Sequence, residues 1–240
     1  MRLISLFALL LCSLASQAAT PLQDSLELIG IQQLCLQTGA LAQQGMPAEQ
    51  QARLAKAFDG ERLCHDLQQR LAKRLSREQQ EQAQVLLGGE LARFFSEAER
   101  SAASDPQLAA YRQRLAEQPP LGARVELIQQ LDATAHTSAL ASLLRYEIGK
   151  SQAWLTVHSR GESIDEQQLA SATVEQQQRL QQASQQAVQG FMLYAYRRMP
   201  SEQLQSYLDL YRQPPLQALL QASQEELLQL FRERRSELLH

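Results

Sequence analysis

The sequence predicts an all-α protein, a helical bundle of about eight or nine helices, and three observations carry that prediction. Gln, Ala, Leu, Glu and Arg dominate the 240 residues, while Gly (10), Pro (8) and β-branched residues are scarce, the bias expected of helices. Leu127, Ile128, Leu131, Leu140, Leu143, Leu144, Ile148 and Leu155 recur at helical spacing, with Glu126, Arg145 and Lys150 elsewhere on the turn. Helix-start and helix-stop signals punctuate the chain, and no run of alternating β-branched residues interrupts them. With 44% hydrophobic residues, the chain is long enough to bury a core.

The elements follow in order. Residues 1–18 carry one positive charge at Arg2, an apolar run from Leu3 to Leu11 and small residues at Ser16 and Ala18, which reads as a cleaved secretory signal. That run is too short to span a bilayer comfortably, and Cys12 follows three leucines rather than the small residues a lipidated cysteine wants. Thr20-Pro21-Leu22-Gln23 joins an N-cap, a proline at the first helical position and a capping-box Gln, opening a helix over 21–43. Gly45-Met46-Pro47 and Asp59-Gly60 then separate helices at 47–58 and 61–74. A second capping box, Ser76-Arg77-Glu78-Gln79, opens 76–101, in which Gly88-Gly89 is a weak point. Asp105-Pro106 opens 105–117. Gln118-Pro119-Pro120-Leu121, with Gly122, separates that helix from 121–159, where Leu121 starts the new apolar stripe. Gly161 ends this long helix, and Ser163-Ile164-Asp165-Glu166 opens 163–198. Met199-Pro200-Ser201 opens 201–212, and Gln213-Pro214-Pro215-Leu216 opens 214–238.

An internal repeat organises these helices. At an offset of about 124, Arg74 falls on Arg198, Leu75 on Met199, Glu78 on Glu202 and Gln79 on Gln203. One inserted residue later, "GGELARFF" falls on "QPPLQALL". The expected organisation is therefore the signal at 1–18, an N-terminal helical half at 19–120 and a related C-terminal half at 121–240, each built on a helical hairpin and packed as one globular unit.

The formal charge is −3, or −4 once Arg2 leaves with the signal, and there is no basic cluster. That balance suits neither nucleic acid nor an anionic membrane surface. No second apolar run reaches membrane-spanning length, so the mature chain is expected to be soluble. Cleavage leaves Cys35 and Cys64, an even pair in an oxidising compartment. They predict a structural disulfide across a span of about 29 residues, since no CxxC is present and His65 is the one nearby imidazole.

No reaction is legible. His65, His136, His158 and His240 form neither HExxH nor a pair at one-turn spacing, and there is no GxSxG elbow or phosphate-cradling glycine loop. The stretch from His158 to Ser163 resembles a catalytic loop in composition, but it reads as a helix end with its basic residues followed by the cap of the next helix. No catalytic residue, metal ligand or cofactor is therefore assigned. Glu97/Glu99 and Glu225/Glu226 read as solvated helix surface, with Glu97 buried against an Arg as the alternative. The Gln-rich turns from Glu175 to Gln189 read as a solvated helix back or a polar interaction surface. Aromatic residues are 5% of the chain, yet Phe191, Tyr194, Tyr196, Tyr207 and Tyr211 fall in two adjoining helices. They read either as core between those helices or as a groove, lined by Phe191, Tyr194, Tyr207 and Tyr211, for an apolar peptide or lipid tail.

Three segments, "LELIGIQQLCLQTG", "PLGARVELIQQLDATAHTSALASLL" and "YAYRRMPSEQLQSYLDLYRQPPLQALLQA", resemble a family of exported, all-helical bacterial envelope proteins of unknown function. In that family the late segment ends in a proline-containing turn often followed by Gly, where this chain has Gln217. The resemblance implies paired helical hairpins and export, and supplies no reaction. The expectation is a periplasmic or secreted protein with a binding or assembly role in the envelope, toward an unknown protein or apolar ligand. A carrier of an apolar ligand or lipid is the alternative, and a hydrolase using His158 or His65 the more distant one.

Overall fold

The computed structural model describes residues 21–118 and 120–238, and among them the regular structure is helix without strand. The expected signal at 1–18 and His240 lie outside the described residues.

Four of the nine expected helices are each cut in two. The first becomes α1 (Pro21–Leu28) and α2 (Ile31–Gln43), parted at Gly30 with a left-handed φ of 76°. Then come α3 (Ala48–Ala57) and α4 (Gly60–Arg74), followed by α5 (Arg77–Leu87) and α6 (Glu90–Ala103), which are parted at Gly88-Gly89. α7 (Gln107–Glu117) leads to α8 (Gly122–Ala135) and α9 (Thr137–Ser159), parted at His136 with a φ of 55°. A left-handed non-glycine residue costs about 1 kcal/mol. Here the neighbours compensate, because the Ser138 N–H donates to Asp132 Oδ1 at 2.8 Å and His136 Nδ1 lies 3.0 Å from Gln224 Oε1. α10 (Glu166–Ala172) and α11 (Val174–Ala195) part at Thr173, whose hydroxyl donates back to the Leu169 carbonyl at 2.7 Å. α12 (Ser201–Tyr211) and α13 (Pro214–Glu237) complete the chain.

The caps refine the expected boundaries. The box at Ser76 forms in full with Gln79. The one expected at Ser163 forms two residues later, between Asp165 and Gln168, because Asp165 is the residue that directly precedes α10. Leu121 is 83% exposed, so the buried stripe of α8 starts after it, at Ile128. At the last turn Pro214 takes the first helical position and Gln217 donates to the carbonyls of Tyr211 at 2.7 Å and Thr134 at 2.9 Å. The Gln side chain thus ties together a turn and a neighbouring helix.

α2 and α9 pack against each other at the centre. Around α2 lie α3 and α4, with α1 against α5; around α9 lie α10 and α11, with α8 against α12. α4 packs on α13, and α6 on α11. α5 and α12 each have 11 residues and begin at Arg77 and Ser201, while α6 and α13 begin at Glu90 and Pro214. One continuous cluster of buried apolar side chains runs from Leu22 in α1 to Leu238.

The buried Glu147, Lys150, Arg234 and Arg235 are all held in ion pairs, which offset the desolvation of each ion. Arg235 of α13, 1% exposed, reaches Glu147 at 2.5 Å and Glu166 at 2.7 Å, and Lys150 reaches Glu166 at 2.6 Å. Arg234 bonds Asp66 at 2.6 Å and the Ala57 carbonyl. Glu225 and Glu226, expected to be solvated, both pair with Arg74 of α4. α13 is thereby fixed to α4 and α9 at once. Among the described residues no helix is long and apolar enough to cross a membrane.

Candidate functional site

On α6, Phe95 and Glu99 stand one turn apart and share a face. Tyr207 and Tyr211 do the same on α12, and Tyr196 follows the end of α11. Phe95 stacks on Tyr207 with centroids 3.9 Å apart and planes at 13°, and meets Tyr196 edge-on at 5.0 Å. Tyr211 meets Tyr207 edge-on at 5.1 Å. None of these four rings is more than 6% exposed, so the cluster is rigid core along its ring faces.

Its polar edges converge on Glu99. The Tyr196 hydroxyl donates to Glu99 Oε1, Tyr207 stands near the same carboxylate, and the Tyr207 and Tyr211 hydroxyls lie 3.4 Å apart. Burial pushes the Glu99 carboxyl above the usual range, against the lowering effect of the two phenols. Burial, and then the carboxylate charge, hold Tyr196 and Tyr211 well above the ordinary phenol range, so both stay neutral donors.

Glu99 and these tyrosines line a cleft of about 850 Å³ that also takes residues from α1, α2, α8, α9 and α11. Leu131, Leu140, Phe191 and Met192 supply one apolar side, and Ile29, Leu34 and Leu36 the other. Gly30, Ala135 and Thr137 line it as well, so the left-handed breaks at Gly30 and His136 flank the cleft. Glu27 and Arg100 stand at the rim, with Arg100 held by Glu97 at 2.6 Å.

Of the groove residues expected from sequence, Phe191, Tyr207 and Tyr211 meet in this cleft and Tyr194 does not. Tyr194 turns to the other side, donating to Asp105 Oδ2 at 2.5 Å and lying under the Arg197 guanidinium at 3.8 Å. Two residues along a helix is a rotation of roughly 200°, which places Tyr196 in the cleft instead. Glu99, read from sequence as solvated surface, is the enclosed carboxylate, and Glu97 is the exposed one. The signal for Glu99 was its one-turn spacing from Phe95.

Cys35 and Cys64 are free thiols in this structure, so the expected disulfide is not formed. They are nevertheless neighbours, and their interaction raises the Cys35 thiol, ahead of its burial, and lowers that of Cys64, whose Sγ lies 3.5 Å from the Gln32 carbonyl oxygen. Gly60 makes this approach possible, because a Cβ there would stand 2.7 Å from the Leu36 Cα. Cys64 opens with His65 on a smaller cleft of about 350 Å³. The two histidines considered for hydrolysis have local partners: His65 Nε2 lies 2.9 Å from Gln69, and His158 Nδ1 lies 2.9 Å from the Trp154 carbonyl. Among the described residues no three His, Cys, Asp or Glu side chains converge as a metal set.

No protein-family model matches the chain, and neither a curated protein nor a solved structure does.

Proposed function

We propose that the chain is an exported, non-catalytic binding protein of the bacterial envelope, which holds a small ligand with an apolar body in the cleft between its two helical halves. The observation that carries this reading is the cleft of about 850 Å³ with aliphatic and aromatic sides and a fixed polar end at Glu99. Apolar walls with a few placed polar groups are the usual make-up of a small-molecule site. A concave site favours a carrier of an apolar ligand over assembly through a flat surface. Export rests on the signal-like residues 1–18 and on the resemblance to exported envelope proteins.

The test is binding of the neutral dye Nile red, read by its fluorescence, to the wild-type protein and to Ala141→Trp, which places a large side chain in the cleft. Saturable binding to the wild type that falls about tenfold or more in a variant with an unchanged circular-dichroism spectrum is the expected result. Absence of dye binding, or equal binding by the variant, overturns the reading.

Within the same proposal the two halves derive from one six-helix unit, α1–α6 and α8–α13, joined through α7. Several correspondences support this. The pairs α1–α5 and α8–α12 match, as do α2–α4 and α9–α11, and α4–α13 and α11–α6. The left-handed residues Gly30 and His136 fall at the same joint of each unit. The oxidising compartment also implies closure of Cys35 and Cys64. Thiol–disulfide exchange with an oxidant disulfide would form their S–S bond, while the oxidant takes up the two electrons and two protons and leaves as two thiols.

A further inference from the structure

We infer that the ligand held in this cleft carries a cationic amine, which pairs with Glu99 while an alkyl or aryl body lies against the apolar walls. The inference rests on the cleft reading above and names the chemistry of its occupant.

Charge complementarity points to it. Two of the protein's carboxylates are matched with enclosed cations of its own, Glu147 with Arg235 at 2.5 Å and Asp66 with Arg234 at 2.6 Å, and the buried Asp132 lies outside the cleft and accepts the Ser138 backbone N–H. Glu99 is different. The Tyr196 phenol donates to it with Tyr207 nearby, and among the described residues no Lys, Arg or His forms an ion pair with it. An enclosed carboxylate without a cation is costly to keep ionised, and the rise of its pKa through burial expresses that cost. A carboxylate offers roughly four acceptor positions, so the Tyr196 phenol leaves room for the N–H groups of an ammonium.

The rest of the cleft agrees in sign. Glu27 adds a second acid at the rim, and Arg100, the basic residue there, is engaged by Glu97. A cation entering the cleft is drawn inward, and an anion is opposed at both the rim and the floor. The body is specified by Leu131, Leu140, Phe191 and Met192, which offer it no charged partner. An ammonium–carboxylate hydrogen bond made in this surrounding is of the stronger, charge-assisted kind.

The experiment measures displacement of Nile red from the full-length mature protein by decylammonium, decanol and decanoate, each below its aggregation concentration. Decylammonium is expected to bind about tenfold or more tighter than decanol, equivalent to about 1.4 kcal/mol, with decanoate weakest. Glu99→Gln, which keeps the shape and removes the charge, is expected to abolish the advantage of the amine and to leave decanol within about twofold. The ranking of the three probes is read on the wild type, so it does not depend on how well the variant folds. Equal displacement by all three probes, or an amine advantage that survives Glu99→Gln, overturns the inference while leaving the cleft reading in place. Failure of Nile red and of all three probes to bind removes both.

Discussion

Glu99 occupies a position whose sequence context gives two contradictory signals. Beside Glu97 it belongs to an acidic, solvent-facing run, and one turn from Phe95 it belongs to the core face of α6. The second signal prevails because the Tyr196 hydroxyl, carried by the turn after α11, ends on its carboxylate beside Tyr207 of α12, and no spacing rule within α6 could reveal that. The same holds for Tyr194 and Tyr196, equally aromatic in sequence and separated in space by Asp105 and Arg197, which draw the first away. A stability prediction follows from the Glu99 environment. Burial raises its pKa in the folded protein, so the folded state keeps a proton that the unfolded chain has released. Stability is therefore lost as pH rises above the ordinary carboxylate range, and Glu99→Gln removes that loss. In urea unfolding, the variant is expected to gain on the wild type between pH 4 and pH 7, with the two closest at the acidic end. A stability difference that is the same at both pH values would contradict the assigned environment.

At the scale of elements, the caps were legible because they are local. Ser76 with Gln79 needs four residues to specify a helix start, and those four are contiguous. The joints at Gly30 and His136 were not, because the apolar stripe continues through them and the break is imposed by packing of the next helix on α2 or α9. Why α2 and α4 come so near is explained by Gly60, where any side chain would collide with Leu36 and the Cys35 carbonyl. That approach makes the two thiols neighbours, as closure of their bond requires. The span of about 29 residues gives a stabilisation of about 3 to 4 kcal/mol in the loop-entropy treatment. If the chain is exported as proposed, protein collected from the periplasm is expected to resist alkylation until it is reduced, and to unfold at lower urea after reduction. Two free thiols found on that material without reductant would refute closure.

Across the whole molecule, composition was enough to announce helices, but it could not say how the halves interlock. The offset between Arg77 and Ser201 pointed to two related halves packed as one unit, without saying that α13 packs on α3, α4 and α5 of the first as well as on α8 and α9 of the second. In the other direction α11 packs on α6. Each half thus completes its apolar surface with the closing helices of the other, and Arg234 and Arg235 carry this into the polar contacts by reaching Asp66 in one half and Glu147 in the other. The buried apolar side chains of the two halves form one continuous cluster, so unfolding should be a single cooperative event. Two native reporters sit in different halves: Trp154, the one tryptophan of the chain, on α9, and Cys35, 1% exposed, on α2. Under reducing conditions, Trp154 fluorescence and the alkylation rate of Cys35 are expected to change at the same urea midpoint. Labelling of Cys35 at a distinctly lower urea concentration than the fluorescence change would show that the first half opens alone, and that the exchange of closing helices does not couple the two.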